Sequence, residues 1–256
     1  MTQPLVFITG ASSGIGQALA ARYAQAGWRL ALVARRGAEL QAWAQAHGLG
    51  PERAAVYRAD VSEPDSIIAA ANACISAHGL PDVVIACAGV SIGMDSAERA
   101  DLDMMRDMFA LNNVGLAATF QPFLRPMRQR GAGTLVGIAS VAAIRGLPGH
   151  GAYCASKAGV VAYCESLRGE CRRQGVRVVT LLPGYIATPL TAGNRYAMPF
   201  LLQPGVFADR AFRAISAAVS YRVIPWQMGV LAKLMRLLPN AVFDKLLDGR
   251  GRKARR

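Results

Sequence analysis

Short, wholly apolar runs alternate with helix-length stretches along most of the chain. "PLVFIT" leads into a glycine-rich turn and an alanine-rich helix ending near Gly27, and "WRLALVA" into a helix reaching about His47. "AAVYRAD", a helix from Pro64 to His78 and "DVVIACAG" repeat the unit. Two long helical stretches, roughly 101–130 and 152–174, flank "GTLVGIAS". "VRVVTLLPG" is then a sixth strand and "YRVIP" at 221–225 a seventh. Strands that are apolar throughout need cover on both faces, and crossovers of helical length join parallel neighbours. The pattern predicts an α/β fold: a doubly wound, parallel, seven-stranded sheet with helices on both faces.

No linker, internal repeat or low-complexity stretch interrupts the rhythm, so residues 1–256 are expected to form one domain. Two segments depart from it. Residues 189–220 read as a long connection with an apolar, hairpin-like patch, "YAMPFLLQPG". Beyond the seventh strand, residues 226–256 form an extension: an amphipathic helix broken at Pro239, another turn or two of helix, and a basic tail.

Composition narrows the class. Apolar residues at 53% and charged residues at 18% fit a buried globule, not a disordered chain. The amino terminus lacks a basic signal-peptide region and no apolar run approaches membrane-spanning length, which predicts a cytoplasmic protein. Five cysteines without a CxxC pair read as free thiols, with no metal implied. The formal charge of +13 is mostly arginine, and "DGRGRKARR" alone carries a net four positive charges. No zinc-finger spacing or aromatic-interleaved basic stripe accompanies it, which argues against nucleic acid.

The chemistry begins at "TGASSGIG", Thr9 to Gly16, between the first strand and a helix. Gly10 permits a tight turn, Gly14 close approach of backbone to a pyrophosphate, and Gly16 close packing of helix on sheet. Ser12, Ser13 and Ile15 complete the loop, and the helix N-terminus offers free N–H groups to phosphate. This is a Rossmann-type dinucleotide site. At the end of the second strand, where an acidic residue would bind a ribose 2′-hydroxyl, stand Arg35 and Arg36. Guanidinium groups there suit a 2′-phosphate and favour NADP(H) over NAD(H). Further on, "AYCASKAG" sets Tyr153 and Lys157 four apart on one helix face. A cation near a phenol stabilises phenolate and brings its pKa toward the working range.

Taken in order, these motifs resemble the short-chain dehydrogenase/reductase family, in its compact branch, over about residues 4–225. "TGASSGIG" matches that branch's glycine loop and "YCASK" its Tyr-x-x-x-Lys. The resemblance implies that Ser140, Tyr153, Lys157 and Asn112 are catalytic. Tyr153 would be general acid/base, Ser140 would bond the substrate oxygen, and Asn112 would anchor a water linking Lys157 to solvent. It further implies that Lys157 holds the nicotinamide ribose, that Asp60 and Val61 edge the adenine, and that Pro183, Gly184, Ile186 and Thr188 border the nicotinamide. One departure is "ACAG": Ala86 and Cys87 replace the family's asparagines, while Ala88 and Gly89 are kept. The lost asparagine usually holds the sheet to the cofactor loop.

The loops 90–96, 141–151 and 189–205 should set substrate choice. Ile92, Met94, Val141, Ile144, Leu147, Pro148, Tyr185, Leu190, Met198 and Phe200 make them apolar. A hydrophobic ketone or alcohol, lipid- or steroid-like, is the expected substrate. His150 and Cys154 read as bystanders. The family resemblance implies a homodimer or homotetramer through the two long helices. The extension either docks on protein or lays its apolar face on a bilayer while the tail meets anionic lipid at the inner face of a membrane. A catalytically idle NADP(H)-binding sensor is the alternative function.

Overall fold

The computed structural model describes residues 3–194 and 196–249. Seven parallel strands run in the order β3-β2-β1-β4-β5-β6-β7. They are β1 (Leu5–Thr9), β2 (Arg29–Ala34), β3 (Ala54–Arg58), β4 (Val83–Ala86), β5 (Gly133–Ile138), β6 (Val176–Pro183) and β7 (Tyr221–Ile224). The three innermost strands, β1, β4 and β5, are buried at every position, as expected of a sheet covered on both faces.

Helices α1 (Gly14–Gln25), α2 (Gly37–Ala46), α3 (Pro64–His78), α4 (Ala100–Phe109), α5 (Gly115–Arg130) and α6 (Gly151–Cys171) supply the crossovers, followed by α7 (Pro189–Ala192) and α8 (Pro204–Ser216). Two apolar cores result. One holds Phe7, Phe120, Phe123 and Leu135, with the Phe7 and Phe123 rings 4.9 Å apart. The other holds Ile8, Leu19, Leu32 and Phe207 on the opposite face.

The strand order reverses between β1 and β4, and the crevice at their carboxyl ends is where such sheets bind ligands. The stretch 101–130 is helical throughout, as expected, with a π turn, Ala110–Val114, between α4 and α5 whose backbone angles stay helical and so leave no mark on the periodicity. Two readings of the pattern are corrected. The apolar patch after Arg195 is not a hairpin: its sheet-like contact is an isolated bridge between Ile186 and Leu202. Within the supposed long connection, α8 packs Phe207, Ala208, Ala211 and Ile215 inward, at helical spacing.

The extension folds as α9 (Trp226–Leu237), a break at Pro239, and α10 (Asn240–Leu247). Of the basic tail, Arg250 to Arg256 lies outside the described residues.

Candidate active site

A single cleft of about 980 Å³ opens along the carboxyl ends of β1, β2, β4, β5 and β6. Its first section is the glycine loop. Gly10 has φ +68 and Gly14 φ +55, the left-handed region that glycine occupies without strain. A Cβ on Gly10 would come within 2.8 Å of Ala88 Cα, and one on Gly16 would run into the Gly10 carbonyl. The loop therefore folds tightly between the β4 loop and α1 only because these positions lack side chains. Ser13, the N-cap of α1, makes no side-chain cap, and the first turn holds no acidic residue. That helix end keeps its N–H groups and positive dipole end for an anion. The cradle fits a dinucleotide pyrophosphate.

Arg35 and Arg36 flank this loop. Arg36 Nη2 donates to Ser12 Oγ at 3.3 Å and its Nη1 pairs with Glu39, while Arg35 lies 3.8 Å from Asp60. All of these contacts are substantially exposed, where such pairs hold a guanidinium only weakly. Burial of Asp60 is outweighed by hydrogen bonds from Ser62 and by Arg35, so its carboxyl sits below the usual range.

Beyond the loop, Ser140 follows β5 and caps a 3₁₀ turn, its hydroxyl accepting from Ala142 N at 3.2 Å. Its O–H faces the Tyr153 phenol. Burial pushes that phenol up, the Ser140 hydroxyl pulls it down, and Cys154 raises it further. Lys157, itself buried, donates its ammonium to Ile138 O at 3.0 Å and reaches the Gly89 backbone, where an added Cβ would lie 3.2 Å from Nζ. Burial lowers its pKa to about 8, against Cys87 and Cys164, which raise it.

Asn112 stands in the π turn behind the cleft wall. Its Oδ1 accepts from Val90 N at 2.9 Å, and its Nδ2 donates to Val90 O at 3.1 Å and to Ser156 Oγ at 3.0 Å. Ser156 Oγ in turn donates to Tyr153 O at 2.9 Å. The amide expected to anchor a water is engaged in tying the β4 loop to α6. Where the family's second asparagine is missing, Thr9 Oγ1 accepts from Cys87 N at 3.1 Å and Ala88 N at 3.2 Å. Thr9 thus couples β1 to the β4 loop, and burial pushes the Cys87 thiol up to about 12.

Every residue expected to touch the cofactor lines this one cleft: the glycine loop with Arg35, Arg36, Asp60 and Val61, then Ala88, Gly89, Tyr153, Lys157, Pro183, Gly184, Ile186 and Thr188. So do Val141, Leu147, Pro148, Tyr185 and Leu190. Ile92 and Met94 do not. They pack against Met108 and Ala152, where Met94 Sδ accepts from Ala152 N. Ile144, Met198 and Phe200 are also absent from the wall, and Phe200 is half exposed. His150, read as a bystander, is buried in the wall with its ring edge-on to Tyr196.

Arg145 and Tyr196, from the loops expected to set substrate choice, and apolar residues of α9 and α10 complete the cleft. The helical spacing of apolar residues in the extension signalled an apolar face, but not that it would dock here.

A family model described as short chain dehydrogenase matches residues 4–198. An uncharacterized oxidoreductase of Myxococcus xanthus is 37% identical over 247 residues, covering 95% of this chain and 96% of that one. Among solved structures, a short-chain dehydrogenase/reductase from Burkholderia phymatum in complex with NAD superposes with TM-score 0.82 at 25% identity, covering 91% and 92% of the two chains. A short-chain dehydrogenase from Sphingobium yanoikuyae in complex with NADPH gives TM-score 0.78 at 26% identity, covering 93% and 97%.

Proposed function

Because this chain belongs to the short-chain dehydrogenase/reductase family, an enzyme family of nicotinamide-dependent oxidoreductases, we propose that it uses NADP(H) to interconvert a hydrophobic ketone or aldehyde with its alcohol, Tyr153 acting as general acid/base. The observation that carries this reading is the Ser140–Tyr153 hydroxyl pair, with buried Lys157 on the same helix, opening on the cleft that begins at the glycine loop.

A nicotinamide bound in this cleft supplies or accepts the hydride. In reduction, Ser140 donates a hydrogen bond to the carbonyl oxygen and stabilises the charge developing there. Tyr153 passes its phenolic proton to that oxygen, leaving phenolate. A phenol raised by burial is a reluctant acid, and Ser140 is the group that offsets this. With a pKa of about 8, Lys157 is charged at neutral pH yet close enough to it to return a proton. In oxidation the same atoms act in reverse.

NADP(H) is supported by two arginines and no acidic residue at the end of β2. An apolar substrate is supported by Val141, Leu147, Leu190 and the α9–α10 wall. The reading includes a homodimer or homotetramer through the long helices, whose flank exposes Leu102 and Val114. It also includes peripheral contact with an anionic membrane. Among the described residues no helix is long and apolar enough to cross one. Supporting surface contact, Trp226, Val230, Leu234 and Leu237 are exposed on α9 beside Lys233 and Arg236.

The test is NADPH oxidation by purified protein across carbonyls graded in chain length and ring count, with Tyr153→Phe alongside. Turnover that rises with lipophilicity and disappears in the variant is expected. Tight NADPH binding with no turnover of any carbonyl would overturn the reductase reading in favour of a sensor.

A further inference from the structure

The C-terminal extension does more than close the fold: it forms the wall of the cleft farthest from the glycine loop. Met228 lies over Gly184, where a Cβ would come within 2.8 Å of Met228 Cγ. Helix α9 can therefore begin against the loop that borders the nicotinamide position. From there Leu231, Ala232 and Met235 face the cleft, and the turn at Pro239 brings in Phe243 and Leu247 from α10.

The polar contacts at this corner converge on one cation. Arg145, just past the 3₁₀ turn after Ser140, donates from Nη1 to the carbonyls of Met235 and of Leu238, the latter at 2.9 Å. Its Nη2 donates to Asn240 Oδ1 at 3.1 Å, and its guanidinium lies 3.7 Å above the Phe243 ring. The carbonyls belong to the end of α9, where the helix dipole favours a positive charge, and the planar fork suits two acceptors and an aromatic face at once. No described carboxylate pairs with Arg145.

We propose that Arg145 is a positioning residue that latches α9 and α10 over the substrate end of the cleft, and that the apolar wall so fixed, Leu231 and Met235 foremost, sets how long an apolar substrate is accepted. The inference rests on the carbonyl/alcohol reading. A substrate whose oxygen lies between Ser140 and Tyr153 projects its remainder toward this corner. Small carbonyls do not reach it; chains and fused rings do. Arg145 acts on reaction specificity only through the helices it holds.

The experiment compares wild type with Arg145→Ala, Arg145→Lys and Leu231→Trp, using NADPH and a homologous series of aldehydes from short to long. Hydrogen exchange of α9 and α10 amides and NADPH affinity are measured on the same proteins. Arg145→Ala should raise KM for long members about tenfold, leave kcat and short-member KM within about twofold, and speed exchange in α9 and α10. Lysine has the charge but not the fork and should behave like alanine. Leu231→Trp leaves the latch intact and should shorten the accepted chain without changing exchange. Unchanged exchange in Arg145→Ala, or equal KM rises for short and long members together with weaker NADPH binding, would overturn the proposal. If wild type turns over neither the aldehydes nor the matching ketones, the reductase reading fails on its own account, and the exchange data still decide the latch.

Discussion

Asn112 Nδ2 lies 3.0 Å from Ser156 Oγ, which joins the π turn to the helix that carries Tyr153. Through Val90 on one side and the Tyr153 carbonyl on the other, this contact fixes the β4 loop against the first turns of α6. Asn112→Ala leaves Val90 N and O without their partner in a partly buried setting, at up to about 1–3 kcal/mol for the unpaired groups. Denaturant unfolding should show a loss of about that size. Turnover should fall even under conditions where the variant is fully folded, because Tyr153 loses its register with Ser140.

Tyr153→Phe removes only the phenolic oxygen. A drop of about 10²–10⁴-fold in kcat is expected, with NADPH affinity by fluorescence titration near wild type. A variant that keeps more than a tenth of the activity would assign the proton to another group.

Arg35 and Arg36 are held by weak, exposed contacts and are available to a 2′-phosphate. Arg35→Asp with Arg36→Ala should weaken NADPH by about 10–100-fold, the worth of one or two charge-assisted bonds, and leave NADH unchanged or improved. Equal loss for both cofactors would mean that the pair supports the loop and does not discriminate.

Lys157 gives a pH signature. Its pKa falls from 10.5 in the unfolded chain to about 8 on burial, so between those values the unfolded state binds more protons. Stability therefore rises with pH across that window, and the cost of the buried charge is fully present below about pH 8. That cost is about 3 kcal/mol for the 10.5-to-8 shift. Lys157→Met should be catalytically dead yet no less stable than wild type at pH 7. The gap between the two unfolding free energies should narrow toward pH 10.

Leu237 is 81% exposed and Leu234 58%, on the outer face of α9. Flotation with anionic vesicles should carry the full chain upward at low salt and release it partly at high salt, and Leu234→Ser with Leu237→Ser should abolish flotation while sparing turnover of water-soluble aldehydes. Flotation indifferent to both substitutions would place membrane contact elsewhere or nowhere.

The sheet and the cofactor half of the cleft were legible because both are local. Strands β1 to β7 announce themselves as apolar runs, and the glycine loop, Arg35, Arg36, Tyr153 and Lys157 each follow a strand or sit on one helix face. The π turn at Ala110–Val114 was not legible, since one extra residue in a hydrogen-bonded ring leaves helical angles untouched. Nor was α8, whose first residues, Pro204 and Gly205, read as part of a long connection. The Arg145 corner depends on partners about ninety residues away, a pairing that no local spacing encodes.

Cys87 stands where the family pattern has an amide, and Thr9 Oγ1 holds the backbone N–H groups of Cys87 and Ala88. Burial pushes the Cys87 thiol up to about 12, so the thiolate is scarce there at neutral pH. An electrophilic carbonyl entering the cleft that Cys87 lines thus meets a thiol of low reactivity. The substitution puts a sulfur into the cleft wall without putting a ready nucleophile there.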